Sequence, residues 1–208
     1  MTRPSEPSLL LDALRRAGDE LDRRQLPWAL VGGLAASIRA EPRFTRDVDL
    51  AVAVPDDAAA EALVADLGAA GYRLEATLEQ DALSRLATVR LVPPGSSAAG
   101  VVLDLLFASS GLEPDVCQAA ERLEVVPGVV VPVARAGHLV AMKLLSRADH
   151  RLQDEIDLRN LAAVLTTEDI ELARRGVARI EAIGANRGRA LVAELERYLA
   201  ASATGPRG

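Results

Sequence analysis

The sequence predicts an α/β protein, with a mixed, largely antiparallel sheet interleaved with helices over residues 1–134 and a C-terminal helical lobe over residues 135–208. Three observations carry this expectation. Short apolar runs bounded by Gly and Pro alternate with stretches of helical spacing through the first two thirds of the chain. After Pro132 every later segment has the helical period. Finally, 50% of the 208 residues are hydrophobic and 26% are charged, which demands a packed core and excludes a disordered tail or a collagen-like repeat.

Each element has its own local cause. Residues 7–24 are amphipathic, with Leu9, Leu10, Leu14 and Leu21 on one stripe. Trp28–Val31, between Pro27 and Gly32-Gly33, is a buried strand, and Leu34–Ala40 is a helix opening on those glycines. Asp47–Val54 alternates: Val48, Leu50, Val52 and Val54 face one way, Asp47 and Asp49 the other. Asp56 or Asp57 caps a helix running to Ala70, and Gly71 ends it. Tyr72–Ala76, Leu86–Val92 and Val101–Phe107 are strands, the last two antiparallel, with residues 93–97 as a loop between them. Glu124–Val126 and Val129–Val133 flank Pro127-Gly128 as a hairpin. Arg135–Ser146, Gln153–Leu165, Glu168–Ile180 and Arg187–Ala200 are helices, and Ser202–Gly208 is a frayed end.

Composition narrows the function classes. No apolar run is long enough to span a membrane, the first residues lack a signal-peptide pattern, and the single Cys117 cannot form an internal disulfide. These point to a cytoplasmic location. The net charge of −6 argues against a dedicated non-specific DNA binder. The charge is uneven. Residues 1–134 carry twelve basic and twenty acidic side chains, whereas residues 135–208 carry twelve and ten. Of the 24 basic residues only Lys143 is lysine. A lone ammonium against an arginine bias marks either chance or a place where a compact charge must reach a phosphate.

The chemistry-bearing pattern is Gly32-Gly33 followed, after thirteen residues, by Asp47-Val48-Asp49. Carboxylates at i and i+2 of a strand share a face and can hold a pair of hard cations, as in two-metal phosphoryl transfer. Glycines at a strand-to-helix turn let the backbone approach an anion with free N–H groups. Asp104 is the only charge in the apolar strand Val101–Phe107. A buried carboxylate needs a partner, which is either an arginine such as Arg90 or a metal ion. Arg39, Arg43 and Arg46 crowd the approach to the Asp-x-Asp strand, where they bind phosphate or acceptor, offset the carboxylates, or remain solvated. If one helix ran on from Lys143, Arg147, His150 and Asp154 would share its face within ~60°. If it broke, Asp154 would be a cap.

Trp28 to Ala36, then Arg43-Phe44-Thr45-Arg46-Asp47-Val48-Asp49-Leu50, resembles the nucleotidyltransferase fold of the polymerase beta superfamily, and more narrowly the AbiEii/AbiGii-toxin type. The resemblance continues through Val131-Pro132-Val133 and the Lys143 helix to Asp154 and Leu158, covering about residues 28–160. It implies a catalytic domain over 1–134 that moves a nucleoside monophosphate from an NTP to an acceptor, releasing pyrophosphate. Asp47, Asp49 and Asp104 would ligate two Mg²⁺ ions, with Asp104 deprotonating the acceptor. Gly32 and Gly33 would hold the triphosphate, and Lys143 would contact its β and γ phosphates. Arg46 and Asp154 would belong to the nucleotide site. Many relatives have Gly-Ser where this chain has Gly32-Gly33, which leaves Ser37, one turn on, as the substitute hydroxyl. The implied acceptor is a tRNA or other RNA end, with a cognate antitoxin as protein partner. An aminoglycoside-like small molecule, a protein acceptor and a non-catalytic binding module are the alternatives.

Overall fold

The computed structural model describes residues 6–80, 85–95, 100–147 and 152–204. Helix α1 (Glu6–Arg23) buries Leu10, Ala13, Leu14, Ala17 and Leu21 against the core. Strand β1 (Trp28–Val31) is buried along its length and passes directly into α2 (Gly32–Arg39). Next come β2 (Asp47–Val52) and α3 (Asp57–Ala69), whose N-cap Asp56 accepts the Ala59 N–H at 2.8 Å. The chain continues through β3 (Arg73–Gln80), β4 (Arg85–Val92), β5 (Val102–Leu106), α4 (Glu113–Gln118), β6 (Glu121–Val126) and β7 (Val129–Val133). Four helices follow: α5 (Ala136–Ser146), α6 (Leu152–Val164), α7 (Thr167–Ala182) and α8 (Leu191–Thr204).

The strands form one sheet in the order β3-β4-β5-β2-β1-β7-β6. The β2–β5 and β1–β7 pairs are parallel and the others antiparallel, so the sheet is mixed and largely antiparallel. Register decides where the chemistry falls. Asp49 stands opposite Val31 on one side and Asp104 on the other, and Asp104 stands opposite Arg90. One core, rich in Leu, Val and Ala, runs from Leu10 to Leu195. Among the described residues no helix is long and apolar enough to cross a membrane.

Several elements differ from the sequence expectation, for local reasons. Helix α2 starts at Gly32 rather than Leu34, because the Asp49 carboxylate accepts the Gly33 N–H and satisfies a first-turn donor. Helix α4 was not expected: six residues are too few to show a period. Strand β3 runs on to Gln80, and β6 starts at Glu121 rather than Glu124. Helix α8 begins at Leu191, not Arg187, because Arg187 and the following Gly188 both have positive φ, and a right-handed helix cannot run on through two such residues. It also continues through Thr204, so Ser202 is helical, not frayed. A single helix from Lys143 to Asp154 does not form: α5 ends at Ser146, and Asp154 lies in the first turn of α6. His150, Arg151, Ser96, Ser97 and the last four residues lie outside the described residues.

The helices hold together through polar bolts as well as packing. Thr166 and Asp169 form a reciprocal capping box on α7, and Asp169 also accepts the Gly137 N–H at 3.4 Å. Arg135 reaches Glu168 at 2.8 Å and Asp169 at 3.3 Å. At this crossing α5 and α7 approach so closely that a Cβ on Gly137 would lie 2.0 Å from the Asp169 carbonyl oxygen. Gly137→Ala is therefore expected to cost about 3 kcal/mol through overpacking against a backbone that cannot retreat. Urea denaturation measures this; an unchanged midpoint would mean that the two helices are not in such close contact.

Candidate active site

The site is assembled where β2 enters the sheet. Val48 and Leu50 are buried on one face, which turns Asp47 and Asp49 to the other; Asp47 is exposed and Asp49 half-buried. The parallel pairing of β2 with β5 sets Asp104 beside Asp49 on the same face. Burial, then the charge of Asp104, then that of Asp47, pushes the Asp49 carboxyl up to about 7. The Gly33 N–H and Lys143 oppose that shift only in part.

Asp104 resolves its own burial through an arginine. Arg90 Nε and Nη2 donate to its two oxygens at 2.8 and 2.6 Å, a bidentate fork across the antiparallel β4–β5 pair. Of the two partners open to it from the sequence, Asp104 takes the guanidinium here.

The two glycines have separate causes. Gly32 has φ +64°, and a Cβ there would lie 2.0 Å from Asp49 Oδ2, so the carboxylate rests against bare backbone. A Cβ on Gly33 would lie 2.4 Å from Arg43 Nη2. The missing side chain at Gly33 thus makes room for Arg43. Ser37 is no replacement hydroxyl in this arrangement: it donates to the Gly33 carbonyl at 3.0 Å within its own helix.

Arg43 leads to the most heavily bonded group in the site. It forks onto Asp157 at 2.7 and 2.8 Å, and Lys143 Nζ donates to the same carboxylate at 2.8 Å. Gln153 Nε2 adds a fourth bond at 2.9 Å, and Lys143 also donates to Asp154 at 3.1 Å. Asp157 is 3% exposed. Burial alone would raise its carboxyl, but the bonds from Arg43, Lys143 and Gln153 hold it below the ordinary carboxylate range. The break between α5 and α6 is what allows this knot, since it points the first turn of α6 back at Lys143.

A cavity of about 160 Å³ is lined by both Asp49 and Lys143. Gly32, Asp49, Lys143, Ser109, Ser110 and Arg187 are among the residues of its wall, with Leu106, Leu139, Met142 and Leu161 as apolar surface. Of the residues expected from the sequence, Gly32, Asp49 and Lys143 meet in this cavity. Asp47 stands outside it on the same strand face, and Arg46 lies over the exposed Phe44 ring at 5.4 Å. Arg39 and Arg43 are not solvated loop charges. Arg39 donates to the Val133 and Ala134 carbonyls at 3.0 and 2.9 Å and pairs with Glu121, tying α2 to the end of β7. The sequence expectation lacked the Arg43–Asp157 pair and gave Arg187 no place beside Asp49 and Lys143. Asp157 carried a signal in its spacing of three from Asp154, which puts the two on one helix face. Cys117 donates weakly to the Ala51 carbonyl, and burial pushes its thiol up to about 12, so it is unreactive.

Among the described residues no three carboxylate, imidazole or thiol groups converge closely enough to hold a metal ion. The two Asp104 oxygens that would complete such a set face Arg90. Asp47 and Asp49 still suit a hard divalent cation. They offer oxygen donors on one face, and their mutual repulsion is what such an ion relieves.

The raised Asp49 carboxyl has a thermodynamic consequence. Its folded pKa lies above the unfolded value, so the associated stability is complete below about pH 4. It is lost as pH rises toward 7, because folding then holds a proton that the unfolded chain has released. Asp49→Asn removes that loss. In metal-free buffer the variant is expected to melt above the wild type at pH 8, and the difference should shrink toward pH 4. A variant that melts lower at pH 8 would contradict the crowding of the three carboxylates.

Comparisons with known proteins bear on the family and the fold. A family model described as the nucleotidyl transferase AbiEii toxin of a type IV toxin–antitoxin system matches residues 12–204. Among solved structures, the antibiotic-resistance factor ANT(2'')-Ia has a TM-score of 0.54 at 18% identity, covering 86% of this chain and 96% of that one. The lincosamide antibiotic adenylyltransferase LnuA has a TM-score of 0.50 at 14% identity, covering 74% and 97%. At these identities the two structures establish a shared fold. No curated protein matches the sequence. Because that family model runs over residues 12–204, nearly the whole length, the chain belongs to the AbiEii nucleotidyltransferase toxin family.

Proposed function

We propose that this nucleotidyltransferase is Mg²⁺-dependent, binds its NTP in the Asp49–Lys143 cavity and transfers the nucleoside monophosphate to an RNA end, with tRNA as the first candidate. The observation that carries the nucleotide half is the meeting of Gly32, Asp49 and Lys143 in one cavity. Asp47 and Asp49 would hold Mg²⁺, which neutralises triphosphate charge and polarises the reacting phosphate when bound. Residues 1–134 supply the carboxylates, and residues 135–208 supply Lys143 and the far wall of the cleft.

The chain's own groups have assignable tasks. Two of the three Lys143 N–H donors go to Asp154 and Asp157, which leaves one for a phosphate oxygen in the cavity. Asp154 and Asp157 are positioning residues that aim that donor. The acceptor oxygen attacks the α-phosphorus, the bond from that phosphorus to the bridging oxygen breaks, and pyrophosphate leaves with the bond's electrons. Each Asp104 oxygen accepts one Arg90 N–H and keeps a second lone pair for the acceptor proton.

RNA is favoured over a small molecule by Phe44. It is 62% exposed, three residues before Asp47, with the Arg46 guanidinium over its ring. An exposed aromatic–guanidinium pair beside the reacting strand is a platform for an unstacked base. A cognate antitoxin and a cytoplasmic location fit the same reading.

Each α-labelled NTP incubated with Mg²⁺ and total tRNA, followed by a denaturing gel, tests it. Labelled RNA is expected from the wild type and none from Asp47→Asn or Asp49→Asn. Phe44→Ala should weaken the RNA KM by about tenfold, the size of one base-stacking contact, with NTP binding unchanged. Labelling of an aminoglycoside or of protein, with RNA unlabelled, would replace the acceptor assignment. Undiminished labelling by Asp49→Asn would overturn the site.

A further inference from the structure

The wall of the cavity holds a second cation, Arg187, which α8 was expected to include and does not. Its circumstances differ from those of its neighbours. Lys143 sits between Asp154 and Asp157, Arg43 is forked on Asp157, and Arg90 is forked on Asp104. Two residues on, Arg189 binds Glu194 at 2.5 Å and the Arg147 carbonyl at 2.6 Å. Among the described residues, the Arg187 guanidinium has no hydrogen bond or ion pair.

The backbone points the same way. Arg187 has φ +53°, in the left-handed region that glycine and asparagine favour, between Gly184 at +74° and Gly188 at +73°. The chain places arginine there although glycine would be less strained. The loop is fastened on both sides of it. The Ala185 N–H donates to the Ile180 carbonyl at 3.0 Å, and Asn186 Nδ2 donates to the Arg189 carbonyl at 2.6 Å. A strained, fastened residue with an uncommitted charge in a cavity wall marks a binding position.

Resting on the nucleotide reading above, we propose that Arg187 binds the phosphate tail of the NTP from the part of the cavity wall that the loop before α8 supplies. Charge supports the assignment. Asp47, Asp49, Asp104, Asp154 and Asp157 outnumber Lys143, Arg43 and Arg90 around the cleft, so the paired cations there leave no net positive charge for a polyanion, even with one Lys143 donor open. A triphosphate needs a further cation, and a guanidinium suits its paired oxygens. Location supports the tail over the acceptor. Arg187 shares the cavity with Gly32, Asp49 and Lys143, whereas Phe44 and Asp47 stand outside it.

The test is calorimetric binding of inorganic tripolyphosphate with Mg²⁺, and of the free nucleoside, to the full chain and its Arg187→Gly, Arg187→Ala and Arg187→Lys variants. Arg187→Gly relieves the backbone while removing the charge, so it should melt at or above the wild type. Its tripolyphosphate affinity should fall at least about tenfold, the size of one charged hydrogen bond. Nucleoside affinity should not change, and Arg187→Lys should recover part of the loss. Equal tripolyphosphate affinity in wild type and Arg187→Gly overturns the assignment, as does a loss confined to RNA labelling. If Arg187→Gly melts lower, Arg187→Lys decides: recovery of melting without recovery of binding makes Arg187 structural. A wild type that binds neither NTP nor tripolyphosphate overturns the nucleotide reading itself.

Discussion

The buried carboxylate of Asp157 is the point on which the rest of the cleft depends. It receives a guanidinium from the loop before β2, an ammonium from α5 and an amide from its own helix. A charge removed from water is tolerable only when it is neutralised and fully hydrogen-bonded, and breaking such a set is far more costly than its net contribution suggests. Satisfying Asp157 therefore fixes three segments at once. Arg43 brings the entry to the Asp-x-Asp strand against the helices, Lys143 is aimed, and the first turn of α6 is held beside the cavity. The same requirement explains Gly33, whose missing side chain lets the Arg43 guanidinium pass.

Two electrostatic arrangements meet in the site and do opposite things. Around Asp157 the charges are matched, and every one of them is hydrogen-bonded. Around Asp49 they are not: three carboxylates face one another across β2 and β5, and one carboxyl is pushed up to about 7 as a result. Matched charge serves architecture, and unmatched charge leaves a demand that a cationic ligand can meet. Arg90 limits that demand by taking Asp104, so the surplus is concentrated on Asp47 and Asp49.

Much of this was legible in the sequence where a side chain's role is local. The period-two alternation of Val48 and Leu50 against Asp47 and Asp49 gave the strand and its carboxylate face. The apolar strand around Asp104 announced a buried charge and named Arg90 as one of its two partners. The lone lysine reads as chance or as a phosphate contact; in the structure its partners are the carboxylates of Asp154 and Asp157. What could not be read depends on contacts across long stretches of chain. Nothing local links Arg43 to Asp157, 114 residues away. Nothing in the helical spacing of 187–200 shows that Arg187 leaves the helix, because that follows from left-handed backbone in the preceding loop. The six-residue α4 was invisible because it is shorter than two helical turns.

The claim that one buried carboxylate assembles the nucleotide cleft is tested most directly by Asp157→Asn, which preserves shape and removes the charge. Thermal melting of wild type and variant would be recorded with and without Mg²⁺ and NTP. The expected result is an upward shift with nucleotide in the wild type, and in the variant a lower midpoint with no such shift. A variant with a wild-type midpoint and an undiminished nucleotide shift would contradict the account.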